Sequence, residues 1–232
     1  MSRKEPIVAI DGPVGAGKSV AARELARALG FSYLNTGAMY RAVAIAARDA
    51  GVSPDDSDVE QRLASILNEI KIKFDGEKIL LDGRDVTVKK DDPEIGELAS
   101  RFSAIGVVRA RMRDLQRAAG ADGGVVMEGR DIGTAIFPDA EFKFFLVADV
   151  KTRARRRFEE LKKKGASTTE REVLEQLVER DRRDSGRELA PLKRADDAIE
   201  IDSTKLSIDA VVAAMKAKIN ARINAAKDLK RA

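Results

Sequence analysis

The stretch IVAIDGPVGAGKS, from Ile7 to Ser19, decides the fold of this chain. Its four opening apolar residues, Ile7 to Ile10, have the length of a buried strand and are too few for a helix. The chain then turns through Gly12, Pro13, Val14, Gly15, Ala16 and Gly17 and reaches Lys18, Ser19 and Val20 as a helical pattern begins. The pattern G-x-x-x-x-G-K-[ST] between a strand and a helix is that of a phosphate-binding loop. Its glycines let backbone N–H groups turn inward, where a Cβ would obstruct them. Those groups and the positive end of the following helix hold phosphate oxygens. Lys18 has the reach for the β- and γ-phosphates, and the Ser19 hydroxyl is the candidate Mg²⁺ ligand. The plain alternative is a glycine-rich turn that merely precedes a helix; the complete motif in its strand–helix context favours a nucleoside triphosphate site.

Working outward, Val20 to Leu29 reads as a helix closed by Gly30, and Phe31 to Leu34 as a short strand. Asn35-Thr36-Gly37 reads as a turn and Ala38 to Ala50 as a second helix. Strand and helix alternate, which predicts a parallel sheet covered on both faces. The composition then shifts. A Ser/Asp/Pro-rich loop from Val52 to Asp58 precedes a short helix, Val59 to Leu67. Three brief strand-like runs follow, Ile70 to Phe74, Lys78 to Leu81 and Asp85 to Val88, around turns at Asp75-Gly76 and Asp82-Gly83. Residues 52–92 therefore read as a small inserted subdomain. Pro93 opens a helical stretch whose apolar residues, from Leu98 through Phe102, Ile105, Val108, Met112 and Leu115 to Ala119, fall in steps of three and four. Gly106 is expected to divide it. Gly124 to Met127, Phe142 to Val147 and Ala198 to Ile201 bring the parallel strands to five. In open parallel sheets ligands sit beyond the carboxyl ends of the strands. Asp11, the Asn35–Gly37 turn and the run Glu128-Gly129-Arg130-Asp131 all lie just past such ends.

Residues 152–187 carry the densest charge. Lys151 to Lys164 reads as a helix stopped by Gly165, with Arg153 and Arg157 one turn apart. Ser167 to Glu170 offers N-cap chemistry for the next helix, on which Arg180, Asp184 and Arg187 would share a face. This is either an arginine-bearing lid over phosphates or an exposed hairpin laced with ion pairs. Ser207 to Ile223 reads as an amphipathic helix with a frayed tail to Ala232.

Composition narrows the chemistry. The 232 residues are 44% hydrophobic and 35% charged, with a net charge of +4. That mild excess suits anionic small molecules and is too scattered to argue for nucleic acid. There is no cysteine and no histidine, so disulfides, thiolate sites and imidazole catalysis are excluded. No apolar run approaches the length of a membrane span or a signal-peptide core. A soluble cytoplasmic protein is expected. The guanine-reading Asn-Lys-x-Asp of GTPases is missing, as is the Asp-Glu pair of motor ATPases. What the chain offers is a second set of cations, Arg41, Arg109, Arg130 and Arg187, as phosphoryl transfer between two polyanions requires. The residues point to a small-molecule or nucleotide kinase.

Five motifs then carry a resemblance. The loop from Ala9 to Lys18, Asn35-Thr-Gly-Ala-Met-Tyr-Arg41, Gly129-Arg-Asp-Ile-Gly-Thr134 with Phe137-Pro-Asp139, Glu179-Arg-Asp-Arg-Arg-Asp184 and Ala190-Pro-Leu192 resemble bacterial cytidylate kinases, in the family's order over almost the whole chain. The resemblance implies an α/β P-loop kinase core with a five-stranded parallel sheet flanked by helices (1–51, 93–151 and 188–232). It also implies an inserted nucleotide-monophosphate-binding subdomain (about 52–92) and a helical lid (about 152–187). The implied reaction is Mg²⁺-dependent transfer of the ATP γ-phosphate to CMP or dCMP. A monomer with no nucleic-acid or membrane partner is expected. Residue by residue, Gly12 to Val20 with Arg153 and Arg157 would hold ATP, and Ser19 the metal. Ser100, Arg109 and Asp131 would read cytosine. A carboxylate suits the exocyclic amino group of cytosine and would meet the O4 of uracil as a second acceptor. Arg41, Arg130 and Arg187 would hold the monophosphate, Arg180 and Asp184 the sugar, and Thr36 would also contact CMP. Lys18, Arg130, Arg157 and Arg187 would be catalytic. Two positions depart from the family: Asn35 stands where an Asp is usual, from which weaker metal affinity is expected, and Val20 where Thr is common.

Overall fold

The computed structural model describes residues 3–75, 78–87 and 92–229. Strand β1 (Ile7–Asp11) lies in the middle of a five-stranded parallel sheet. On one side of it are β6 (Val125–Gly129) and then β2 (Ser32–Asn35); on the other are β7 (Phe142–Val147) and then β8 (Ile199–Asp202), giving the order β2-β6-β1-β7-β8. Pairing is in register: Asp11 faces Gly129 on one side and Phe145 on the other. The carboxyl ends of β1, β2 and β6 therefore finish at one level.

Alternation along β1 divides the core in two, because successive side chains point to opposite faces. Ile7 and Ala9 join Leu34, Val125 and Met127 against α2 (Thr36–Asp49), α4 (Pro93–Phe102) and α5 (Gly106–Ala119). Val8 and Ile10 join Val126, Phe144 and Leu146 against α1 (Lys18–Leu29) and α8 (Ile208–Leu229). Ile10 is fully buried, and truncating a side chain so placed costs about 2–5 kcal/mol. A third, small cluster of Ala154, Leu161, Val173 and Leu177 joins α6 (Val150–Lys163) to α7 (Glu170–Gly186).

The expected insertion contains α3 (Val59–Glu69) and an antiparallel sheet of β3 (Ile72–Asp75), β4 (Lys78–Leu81) and β5 (Arg84–Asp85). Asp82 and Gly83, both at positive φ, make the β4–β5 turn, as Asp-Gly does in hairpins. Leu63, Leu67, Ile79, Leu81 and Val86 are buried in the same cluster as α2, so this sheet shares the main core. Gly76 of the other expected turn, Val88 and the last residues of the tail lie outside the described residues.

Local chemistry moved several boundaries. Asn35-Thr36-Gly37 is not a turn but the start of α2. The Asn35 side chain accepts from the Ala38 N–H at 3.0 Å as an N-cap, and Thr36 and Gly37 are already helical; turn-forming residues are also cap residues. The break between α4 and α5 falls at 103–105, with Gly106 opening α5 rather than separating the two. Helix α7 begins with a capping box between Thr169 and Glu172.

Candidate active site

A cleft of about 730 Å³ opens over the carboxyl ends of β1, β2 and β6. One wall is the loop before α1. Gly12 is indispensable there: at φ +144°, a Cβ would stand 2.1 Å from the Leu146 carbonyl oxygen of the neighbouring strand. Gly15 has φ +78° and packs against Arg153 of α6. Val14, Gly15, Gly17, Lys18, Ser19 and Val20 line the cleft, whereas Gly12, Pro13 and Ala16 support it from behind. Lys18 is buried at the head of α1, and its Nζ donates to the Pro13 carbonyl at 2.7 Å. Burial first, and then the charge of Arg130, bring its ammonium down to about 7.

The opposite wall is built from α2, α4, α5 and the end of β6. Ser100 and Ser103 of α4 and its exit, Arg109 of α5, Asp131 after β6, and Thr36, Tyr40 and Arg41 of α2 all line it. Asp131 and Arg109, both buried, form an ion pair. Burial pushes the Asp131 carboxyl up, against the pull of Arg109, Arg187 and Arg130. The Ser100 hydroxyl is buried and makes no hydrogen bond, which leaves a polar group facing the cleft with nothing to satisfy it.

Helix α7 brings Arg180, Asp184 and Arg187 to the same wall. Asp184 is the hub. It accepts from Arg130 Nε at 2.9 Å and from Arg187, whose Nη1 also donates to Ser103 Oγ at 3.2 Å. Burial alone would raise the Asp184 carboxyl, but Arg130, Arg187 and Arg180 outweigh it and hold it at about 2. Burial, reinforced by the Arg130 charge, brings Arg180 down to about 10. Three guanidinium groups with the buried Asp184 carboxylate among them form a cationic end to the cleft.

A cytidylate kinase family model matches residues 8–221. The chain belongs to the cytidylate kinase family. It is 48% identical over 221 residues to a cytidylate kinase of Citrifermentans bemidjiense, covering 94% of each chain. It is 47% identical over 224 residues to one from Geobacter sulfurreducens, covering 95% of each. A solved structure of an uncharacterized protein from Eubacterium ventriosum aligns with a TM-score of 0.50 at 15% identity, covering 93% of this chain and 99% of that one, a likeness of fold alone.

Against the cytidylate kinase pattern, the structure brings Lys18, Ser19, Thr36, Arg41, Ser100, Arg109, Arg130, Asp131, Arg157, Arg180, Asp184 and Arg187 to one cleft. Besides Gly12, Pro13 and Ala16, Arg153 does not line it. Its guanidinium is buried: Nε donates to the Ala148 carbonyl at 3.0 Å, Nη1 to the Val14 carbonyl at 3.2 Å, and Nη2 pairs with Asp181 at 2.7 Å. Arg153 braces the phosphate loop against α6 and α7 and does not line the cleft. Its neighbour Arg156 does line it, and donates to the Ser203 hydroxyl and carbonyl at 3.2 and 2.6 Å.

Sequence reasoning also assigned no role to Tyr40, Ser103 and Glu128, although it placed Glu128 at the strand end. Glu128 is buried at the end of β6, lines the cleft and accepts from Tyr33 Oη at 2.9 Å. A buried carboxylate closing a strand beside a phosphate loop was the available signal. Asn35 lines the cleft too, though its side-chain oxygen is committed to capping α2. Among the described residues no helix is long and apolar enough to cross a membrane.

Proposed function

We propose that the cleft transfers the γ-phosphate of ATP to CMP or dCMP, with ATP on the phosphate-loop side and the monophosphate on the arginine side. The observation that carries this reading is the buried group at the acceptor wall: the Asp131–Arg109 pair beside an unsatisfied Ser100 hydroxyl, in the same cleft as Lys18. A carboxylate acceptor, a guanidinium donor and a hydroxyl are what the amino, N3 and carbonyl edge of cytosine would satisfy. The cytidylate kinase relatives support the same substrate.

In this reading Arg41, Arg130 and Arg187 hold the acceptor phosphate, while Arg180 and Asp184 hold the sugar. Lys18 and Arg157 face the donor phosphates. An acceptor phosphate oxygen is already nucleophilic, so no general base is needed; the residues align two anions and neutralise the charge that develops between them. The lining of the cleft includes the oxygen-bearing side chains of Ser19 and Glu128. No cluster of three carboxylates is present among the described residues. That donor set fits Mg²⁺ held mainly through the nucleotide's own phosphates, with Ser19 as its protein ligand. When bound, the ion would neutralise charge on the β- and γ-phosphates.

Residues 52–92 are read as the nucleotide-monophosphate insertion, leading into the α4–α5 wall. Residues 152–187 are read as the lid, whose separate small core supports movement as a unit. The enzyme is read as a cytoplasmic monomer with no nucleic-acid partner. The test is ADP release from Mg·ATP with CMP, dCMP, UMP and AMP as acceptors. CMP and dCMP are expected to exceed UMP and AMP by at least about 100-fold in kcat/KM, as one misread polar edge allows. Equal rates on all four would refute cytosine reading and leave the kinase assignment standing. No turnover with any of them would refute both.

A further inference from the structure

Asp11 closes the central strand one residue before the phosphate loop, yet it does not line the cleft. Its carboxylate is buried between two other elements. One oxygen accepts from the Ile132 N–H at 2.9 Å and the other from the Gly133 N–H at 2.7 Å. These are the first two amides of a single π-helical turn, Ile132–Ile136. Within that turn the hydrogen bonds run from Ala135 and Ile136 back to the Asp131 carbonyl, and from Phe137 to Ile132. The first amides of any helical turn lack partners inside it. Here a carboxylate from another strand, 121 residues earlier in the chain, supplies both.

The arrangement is expensive. Burial lifts the Asp11 carboxyl to about 7 despite its two backbone donors, and the nearby Asp131 charge opposes it further. A neutral side chain could have filled the space without a buried charge. What the carboxylate supplies is a rigid two-point tie between the end of β1 and the backbone on which Asp131 stands. At its far end the turn is held by Arg117, which donates to the Ala135 and Ile136 carbonyls at 3.1 Å. At its near end, beside Asp131, Asp11 is the tie.

We infer that Asp11 is a positioning residue for the acceptor base: by fixing the start of the π-helical turn to β1, it sets where the Asp131 carboxylate stands relative to the phosphate loop. The inference deepens the proposed function and rests on Asp131 reading cytosine. Asp11 touches neither substrate. Its loss acts through Asp131, shifting base discrimination and acceptor affinity while leaving the donor side alone.

The experiment is a double-mutant cycle. Asp11→Asn keeps the shape but can accept from only one of the two amides and turns its own N–H donors on the other. Asp11→Asn is expected to raise KM for CMP and to lower the CMP/UMP ratio of kcat/KM by about tenfold, with KM for ATP within twofold of wild type. In an Asp131→Ala background it is expected to lower that ratio no further, because residues acting through one another are not additive. Gly133→Ala perturbs the same contact without altering a buried charge. Its Cβ would stand 3.2 Å from the Lys143 side chain, which must give by a few tenths of an ångström, and 3.4 Å from the Asp11 oxygen; crowding at the tie is expected to shift the ratio in the same direction. If Asp11→Asn fails to fold, Gly133→Ala carries the test on the same terms. An unchanged ratio in both variants while Asp131→Ala loses it would overturn the tie alone. So would a further, additive loss in the double variant, or a lowered melting temperature with discrimination intact. An unchanged ratio in Asp131→Ala would overturn the cytosine reading and the tie together.

Discussion

Replacing Asp184 by Ala removes the buried carboxylate that pairs with Arg130 and Arg187 and faces Arg180. Its side chain is 3% exposed and those of Arg130 and Arg187 are 19% and 9%, so water cannot take over its role. Two routes give the magnitude. Holding the carboxyl at about 2 instead of 3.8 corresponds to about 2.5 kcal/mol in favour of the ionised, folded form. Removing one partner from a buried ion pair costs about 3–5 kcal/mol, much of it the burden of unpaired buried charge. About 3 kcal/mol is therefore expected, a fall of roughly 6–12 °C in melting temperature for a chain of this size. The dependence on pH fixes the sign. A carboxylate with a depressed folded pKa contributes stability above its unfolded pKa and loses it as pH falls through the folded value. The gap between wild type and Asp184→Ala, read by urea unfolding, should be constant from pH 7 down to about 4.5 and narrow by pH 3. Asp184→Asn should lose nearly as much, because charge and not volume is at issue. A fall of under about 2 °C, or a gap indifferent to acid, would refute the reasoning.

Two further outcomes are expected. With Lys18 near 7 in the free protein, binding of a triphosphate must recharge it, so calorimetry at pH 7.5 in buffers of different ionisation enthalpy should register proton uptake; Lys18→Ala should abolish the uptake and lower kcat at least about 100-fold. Arg153→Ala and Arg157→Ala should separate cleanly. The first should lower the melting temperature by several degrees through the orphaned Asp181, and the second should raise KM for ATP with stability unchanged.

Much of this site was legible because its signals are local. Gly12, Gly17, Lys18 and Ser19 sit within one short stretch of sequence, and the strand before them is too short and apolar to be anything else. The arginines were legible as a group, since Arg41, Arg109, Arg130 and Arg187 are spread along the sequence yet line one cleft. The misreadings came where one residue type serves two geometries. Asn35 and Gly37 suit a turn as well as a helix start, and only the β2–α2 connection decides between them. Arg153 and Arg157 occupy successive turns of one helix. Which of them faces the cleft depends on Asp181 and the Val14 carbonyl, brought there by folding. Asp11 read as a strand-end carboxylate, but its partners, Ile132 and Gly133, are more than a hundred residues away and are backbone groups, which a sequence does not distinguish.

The small cluster joining α6 to α7 has a consequence for how the molecule breathes. Ala154, Leu161, Val173 and Leu177 pack on one another, with Val14 of the phosphate loop leaning on them. The hairpin thus carries its own interior and can part from the sheet without wetting either large core. In hydrogen exchange its amides would open as one block, at a lower free energy than those of β1 and β6. Because Val14 belongs to that block, a triphosphate that stills the loop would slow exchange across both helices, including residues far from any phosphate.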